Sequence, residues 1–332
     1  MNKTSLSNKR LNYPEMAYHV FIFLVAVGYA YVLASQPVDG FVDRVNYLVY
    51  AGESSAIFDR YLSQGVTTLI FNEPIWLLHN TLLSLFLAPE GVVAATIFLA
   101  SYITAYLILK FSPAHFILLV LYLLLPQVLK NNIIHLRQGL AIAVFLLGWF
   151  SSRPNVRYFC FFLACFIHSS FIIILFLYAL NEFFVRFRYG SDLRAVIVAC
   201  IGLLAGVFGI WVAGVLGARQ ADQYADGAVA VSGLGFVFWV TIAGIFLRQG
   251  KFFLRNNSLQ FSIIVFYLST YFFLPVAARV FESAILLVLL SALQLTSYRR
   301  YTFIGLFFCY FLIQWSSRIL LPGFGWGVEN YL

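Results

Sequence analysis

Ionisable side chains inside long apolar runs are costly in a bilayer and mark function by default. This sequence of 332 residues holds several of them. Arg137 opens the stretch LRQGLAIAVFLLGWF, with Gln138 beside it. A guanidinium keeps its charge and offers a planar fork that fits two phosphate oxygens, which makes Arg137 a candidate for holding a diphosphate. The plainer alternative is an arginine at a helix end reaching for the interface. Against it, an arginine on the outer side runs counter to the positive-inside bias. His168 lies in FLACFIHSSFIIILF, roughly 16 Å of helix beyond the nearest basic cluster and thus near mid-membrane. A neutral imidazole there can take a proton from a substrate hydroxyl, or it can simply hydrogen-bond between helices, with Ser169 and Ser170 supporting a break.

Arg279 and Glu282 in LPVAARVFESAILL share one face of a helix start after Pro275. They can pair with each other, or Arg279 can serve as a second cation for a phosphate-rich ligand. Glu73-Pro74 opens a helix that carries Trp76 and His79. An acid and a proline at that position are ordinary helix-start chemistry, but a carboxylate at the mouth of a re-entrant helix can also bind sugar hydroxyls or act as a base. Asp43, Tyr47 and Tyr50 have the aromatic-plus-acid character that suits saccharides, which a solvated loop would show as well. His19, His79, His115 and His135 lack HxxxH or HxH spacing, and no DxD occurs, so no metal site is expected. There is also no P-loop, no GxSxG and no dinucleotide fingerprint.

These residues must be positioned by membrane helices. The chain is 62% hydrophobic, 19% aromatic and 10% charged, with a mean hydropathy of +0.89. A soluble domain runs near 25% charged. That contrast excludes a soluble enzyme, a disulfide scaffold, a disordered chain and a nucleic-acid binder. Apolar runs fall at roughly 17–35, 74–88, 91–109, 113–129, 137–150, 158–180, 194–217, 233–247, 258–275, 280–297 and 301–315. They predict an all-α polytopic membrane protein of about ten or eleven hydrophobic helices, several too short for the ~20 residues of a full span. The net charge of +8 is largely topological. Lys3, Lys9 and Arg10; Arg153 and Arg157; Arg186, Arg188 and Arg194; Arg248, Lys251 and Arg255; and Arg299 and Arg300 cluster between the runs, as the positive-inside rule requires. The N-terminus is then cytoplasmic, and residues 17–35 read as a retained first span. Residues 36–73 and 217–232, the latter with Asp222, Tyr224 and Asp226, become outer loops of a single integral domain over 1–332. Cys160, Cys165, Cys200 and Cys309 read as packing residues.

Parity fails if every run spans. Residues 36–73 are outside and Lys110 inside, with two runs between them, and both ends of 158–180 carry inside-type charge. The repair is that 74–88 and part of 158–180 are re-entrant or broken, at Glu73-Pro74 and at His168-Ser169-Ser170. Backbone breaks at membrane depth only where protein or a water-filled cavity satisfies it, so a cavity open to the outer face is expected.

In order, Asp43 and Tyr47, then EPIWLLHNTLLSL, LRQGLAIAVFLL, ACFIHSSFIIILF, an outer loop with Tyr224, and ARVFESAILLVLL resemble the EpsG family of bacterial exopolysaccharide proteins. That family is similar to the Wzy-type O-antigen and capsule polymerases, and the resemblance covers about residues 20–300. It implies a GT-C-like fold in the bacterial inner membrane with its active site facing the periplasm. It also implies polymerisation of oligosaccharide repeat units linked to undecaprenyl diphosphate, needing neither cofactor nor metal. In this reading Arg137 and Arg279 bind the diphosphate and His168 or Glu73 is the base. Asp43, Tyr47, Gln138, Tyr224 and Glu282 meet the acceptor sugar. Membrane lipids, a chain-length regulator and a flippase are the candidate partners. A single displacement would invert the anomeric carbon. The tail LPGFGWGVENYL matches no motif. Two rival readings are a membrane O-acyltransferase, whose usual His context is missing around His19, and a flippase, whose two related halves are not visible.

Overall fold

The computed structural model describes residues 13–217 and 233–328, and its regular structure is helical. Tyr224 and nearly all of the 217–232 segment lie outside the described residues. The helices are α1 (Tyr13–Ala34), α2 (Arg44–Ser63), α3 (Val66–Phe71), α4 (Pro74–Ser84), α5 (Pro89–Lys110), α6 (Phe116–Leu123), α7 (Pro126–Ile133), α8 (Leu136–Phe150), α9 (Pro154–Ile167) and α10 (Ser170–Arg186). They continue as α11 (Ser191–Val215), α12 (Leu234–Gln249), α13 (Lys251–Asn256), α14 (Ser258–Thr270), α15 (Ala277–Glu282), α16 (Ile285–Ala292) and α17 (Ser297–Ser316). Three described helices, α1, α5 and α11, are long and apolar enough to cross a membrane alone. The pair α6–α7, bent by 65°, makes a fourth candidate, and α8, α9, α12 and α14 are shorter apolar helices. This is an all-α polytopic membrane protein whose helices are often broken.

The breaks have local causes. The run 113–129, a single element by hydropathy, bends because Pro126 cannot continue the ladder and holds Leu125 extended (φ −63°, ψ 130°). The 36–73 segment, which reads as a loop, is mostly helix, as α2 and α3. α9 ends at His168, which is extended (φ −150°, ψ 125°), and α10 restarts at Ser170. Phe161 on α9 meets Tyr178 on α10 with ring centroids 5.1 Å apart. The two helices therefore fold back on each other as a hairpin with His168 at its tip.

Around this hairpin the packing is close. Phe145 of α8 stacks on Phe161 at 4.3 Å, and Gly148 lets α8 approach the Cys160 side of α9, where a Cβ would sit 2.8 Å from that side chain. α16 is buried along its whole length, as expected of a helix that is apolar all round. The outer segment is pinned by Arg44, which is fully buried. Its guanidinium donates to the carbonyls of Ile133 (2.8 Å), Gln36 and Pro37 (3.0 Å each). The motif-free tail docks here too. Val42 N–H donates to Trp326 O at 2.9 Å and Val328 N–H to Gly40 O at 3.2 Å.

Gly139 marks the tightest crossing near the hairpin tip, because a Cβ there would lie 2.3 Å from the Asn131 carbonyl oxygen. Backbone cannot swing aside as a side chain does. Gly139→Ala should therefore destabilise the protein by about 1–3 kcal/mol, read as a lowered thermal unfolding temperature in nanodiscs. Unchanged unfolding would contradict the α7–α8 contact.

Candidate functional site

The two helix breaks come together. Glu73 sits just before α4 in the left-handed backbone region (φ 63°, ψ 56°) and its side chain makes no capping bond. Pro74 at the first helical position is the ordinary helix start expected from the sequence, but Glu73 does not cap that helix through its side chain. Its carboxylate turns inward instead, 2% exposed, and forms an ion pair with Nη1 of Arg137. The other carboxylate oxygen lies 2.6 Å from Nδ1 of His168 and 3.4 Å from the Ser169 amide, which donates to it. Arg137 is the second residue of α8, and His168 and Ser169 immediately precede α10. The N-termini of α4, α8 and α10, each with unsatisfied amides and a partial positive charge, thus converge on one cluster. Arg137 and His168 remain partly exposed, at 19% and 13% of their side chains.

An aromatic wall lines one flank. The Arg137 guanidinium lies 5.4 Å from the Tyr50 ring centroid and 6.0 Å from that of Tyr47. Trp76 meets both tyrosines edge-on, at 5.6 and 6.3 Å. Burial raises the pKa of the Tyr47 phenol despite the opposing pull of Arg137, so it stays neutral. Asp43 is exposed at the start of α2 and acts on Tyr47 only through its field.

The other flank is polar and buried. Gln138, 1% exposed, donates through Nε2 to the Arg279 carbonyl (2.9 Å) and to Ser283 Oγ (3.0 Å). Ser283 and Ser170 share a hydrogen bond of 2.8 Å, tying α10 to the α15–α16 junction. Glu282 pairs with Lys130 of α7, Nζ lying 2.9 Å from Oε2. His135, in the turn before α8, is lowered in pKa by burial first and then by nearby positive charges, among them Lys130, Arg279 and Arg137. These cations therefore crowd one region. Neither of two sizeable surface cavities lies at this cluster. One lies between α1, α4 and α5, the other at the α10–α11 turn. Among the described residues, no group of three or more His, Cys, Asp or Glu is placed to hold a metal. Cys160 and Cys165 are buried, Cys200 and Cys309 exposed, and all four are free thiols.

Sequence reasoning missed Arg44, Lys130 and Ser283. Lys130 in LLPQVLKNNII carried the same signal as Arg137, a cation beside an apolar run. Arg44 looked like a loop residue, and nothing set Ser283 apart from other serines.

The site thus defines a polytopic membrane protein with a buried Glu–Arg–His cluster at the junction of broken helices. Over residues 17–326 the chain matches the EpsG family, and it belongs to that family. EpsG is the Wzy-type polymerase-like family, so this is a polysaccharide-polymerase-like membrane protein. No curated protein and no solved structure matches the chain.

Removing one partner of a buried ion pair strands the other, at a cost of about 3–5 kcal/mol. We expect Glu73→Ala and Arg137→Met each to lower the unfolding temperature in nanodiscs. The double variant should recover part of the loss, and strictly additive losses would show that the pair is not energetically coupled.

Proposed function

We propose that the protein polymerises lipid-linked oligosaccharide repeat units. A growing glycan leaves undecaprenyl diphosphate and joins a sugar hydroxyl of the next unit at the periplasmic face of the bacterial inner membrane, on a GT-C-like scaffold. The observation that supports this best is the Glu73 carboxylate joining Arg137 and His168 where three helix N-termini meet. Such an arrangement gathers positive potential in a low-dielectric place, as an anionic leaving group needs.

Both oxygens of Glu73 are engaged, so Glu73 is the positioning residue. It accepts the Nδ1–H of His168 and thereby leaves the Nε2 lone pair free to act as base. The acceptor hydroxyl gives its proton to Nε2 as its oxygen attacks the anomeric carbon. The bond from that carbon to the diphosphate oxygen breaks, and the charge passes to undecaprenyl diphosphate. Arg137, aided by Arg279, stabilises that charge. One displacement inverts the anomeric carbon. Of the aromatic wall, half-buried Tyr50 offers a ring face to the sugars, with Tyr47 (first read as a sugar ligand) and Trp76 buried behind it and Asp43 exposed at the rim. Gln138 and Glu282, first read as sugar ligands, serve better as braces: each is buried, with Gln138 hydrogen-bonded to Ser283 and the Arg279 carbonyl, and Glu282 paired with Lys130. Membrane lipids surround the protein, and a chain-length regulator and a flippase are the proposed neighbours.

The test is purified protein in nanodiscs with a synthetic undecaprenyl-diphosphate repeat unit and no other addition, the products separated as a glycan ladder. Wild type should build a ladder. Arg137→Ala and His168→Gln should each slow it by about 10²–10⁴-fold. Glu73→Gln should lower kcat with little change in KM, and Glu73→Asp should recover part of the loss. The new linkage, assigned by NMR, should have the inverted configuration. Binding without extension would favour the flippase reading, and extension unimpaired in His168→Gln would remove the base.

A further inference from the structure

α10 runs from the hairpin tip at His168 down to Arg186 over 17 residues, about 25 Å of helix. Its far end therefore lies roughly one hydrocarbon thickness from the Glu73 cluster. There the turn into α11 forms a cavity of about 460 Å³, lined by Val185, Arg188, Tyr189, Arg194, Lys251 and Arg255 together with Gly190 and Ser191. Its cations come from two separate basic clusters of the sequence, one on the α10–α11 turn and one on α13. The positive-inside rule explains why each cluster lies on this face. It does not explain why they face each other across one pocket. No carboxylate lines the cavity, and Asp192, next in sequence to the lining residue Ser191, accepts a hydrogen bond from Ser191 Oγ at 3.0 Å.

Arg194 anchors the arrangement. It is 7% exposed, and its Nε donates to the Tyr189 carbonyl at 2.8 Å, which fixes the guanidinium in the cavity wall. Four cations held together repel one another, and a bound anion offsets that cost. The surroundings point to the kind of anion. Phe187 (58% exposed), Leu193 (47%) and Phe252 (81%) are exposed apolar side chains next in sequence to the pocket's cations. A soluble anion has no use for such a collar, whereas a phospholipid fills both parts, phosphate in the pocket and acyl chains on the collar.

We propose that this cavity binds the phosphate headgroup of an anionic glycerophospholipid on the cytoplasmic face, at the opposite end of α10 from the proposed catalytic cluster. The site is independent of the polymerase reading. Basic pockets between membrane helices on that side are suited to such headgroups. The lipid would join the α10–α11 turn to α13, which the polypeptide connects only through a long intervening stretch.

Native mass spectrometry of full-length protein, with cardiolipin, phosphatidylglycerol or phosphatidylcholine titrated into detergent, tests this. Wild type should retain the anionic lipids at least about tenfold better than phosphatidylcholine. The Arg188→Gln/Lys251→Gln/Arg255→Gln variant should lose that preference. An Arg153→Gln/Arg248→Gln/Arg300→Gln variant, which removes as many charges elsewhere, should keep it. Equal retention of anionic and neutral lipids by wild type would overturn the proposal without recourse to any variant. So would a preference that survives the pocket substitutions. Complete displacement of cardiolipin by millimolar inorganic phosphate would assign the pocket to a soluble anion and overturn the lipid as its occupant. Polymerase activity enters none of these readings.

Discussion

A carboxylate that is 2% exposed in a membrane protein has to be answered by charge and by hydrogen bonds, because burying it alone is prohibitive. Glu73 is answered by Arg137 and His168, which lie on elements far apart in the chain. The ion pair is therefore also a topological constraint. It requires the start of α4, the start of α8 and the α9–α10 tip to occupy one place. None of these can be the middle of a continuous span, since an uninterrupted helix would direct its amides into its own ladder. The broken helices and the buried charge explain each other: the breaks supply free amides and positive dipole ends, and the charge gives the breaks a partner at depth.

Around that contact the structure builds rigidity in layers. Gln138 fixes α8 to the α15–α16 junction through the Arg279 carbonyl and Ser283, and Ser283 in turn holds Ser170 at the start of α10. Lys130 and Glu282 repeat the connection one layer away. Arg44 and the docked tail hold α2, which sets Tyr47 and Tyr50 against the guanidinium of Arg137. These are short bonds between neighbouring helix ends, where a small displacement would separate a cation from its partner. Positioning on this scale is what the proposed polymerisation would demand, since misplacing reacting groups by about 1 Å can cost about 10²-fold in rate.

How much of this was legible in the sequence follows from which signals are local. Hydropathy shows apolar helices directly, and charge parity locates the two breaks, because a re-entrant segment disturbs the count of crossings. Cost at membrane depth marks Arg137, His168 and Arg279. Pairing across the fold is not local. Nothing in EPIWLLHN says that Glu73 meets Arg137 and His168 rather than caps its own helix, and Glu282 had Arg279 as an obvious neighbour while Lys130 lay far off in the chain. Pro126 was visible, but a single proline inside an apolar run does not distinguish a kink from a sharp bend. Arg44 was hidden for a related reason. In a segment with several acids it looked solvated, and only the path of the chain past Ile133, Gln36 and Pro37 buries it.

In the proposed mechanism, the division of labour between Glu73 and His168 follows from occupancy rather than from residue type. Either could in principle take a proton from a sugar hydroxyl. A carboxylate whose two oxygens already face a guanidinium, an imidazole nitrogen and an amide would have to leave one of them to act as a base, and the arginine would then lose its counter-charge. An imidazole held through Nδ1 loses nothing when Nε2 takes a proton, and the carboxylate beside it stabilises the imidazolium that forms. In the proposed reaction, protonation would also add positive charge beside Arg137 as the leaving diphosphate gains negative charge. The same contact that permits Glu73 to be buried would thus, in that reaction, couple proton uptake at His168 to departure of the lipid.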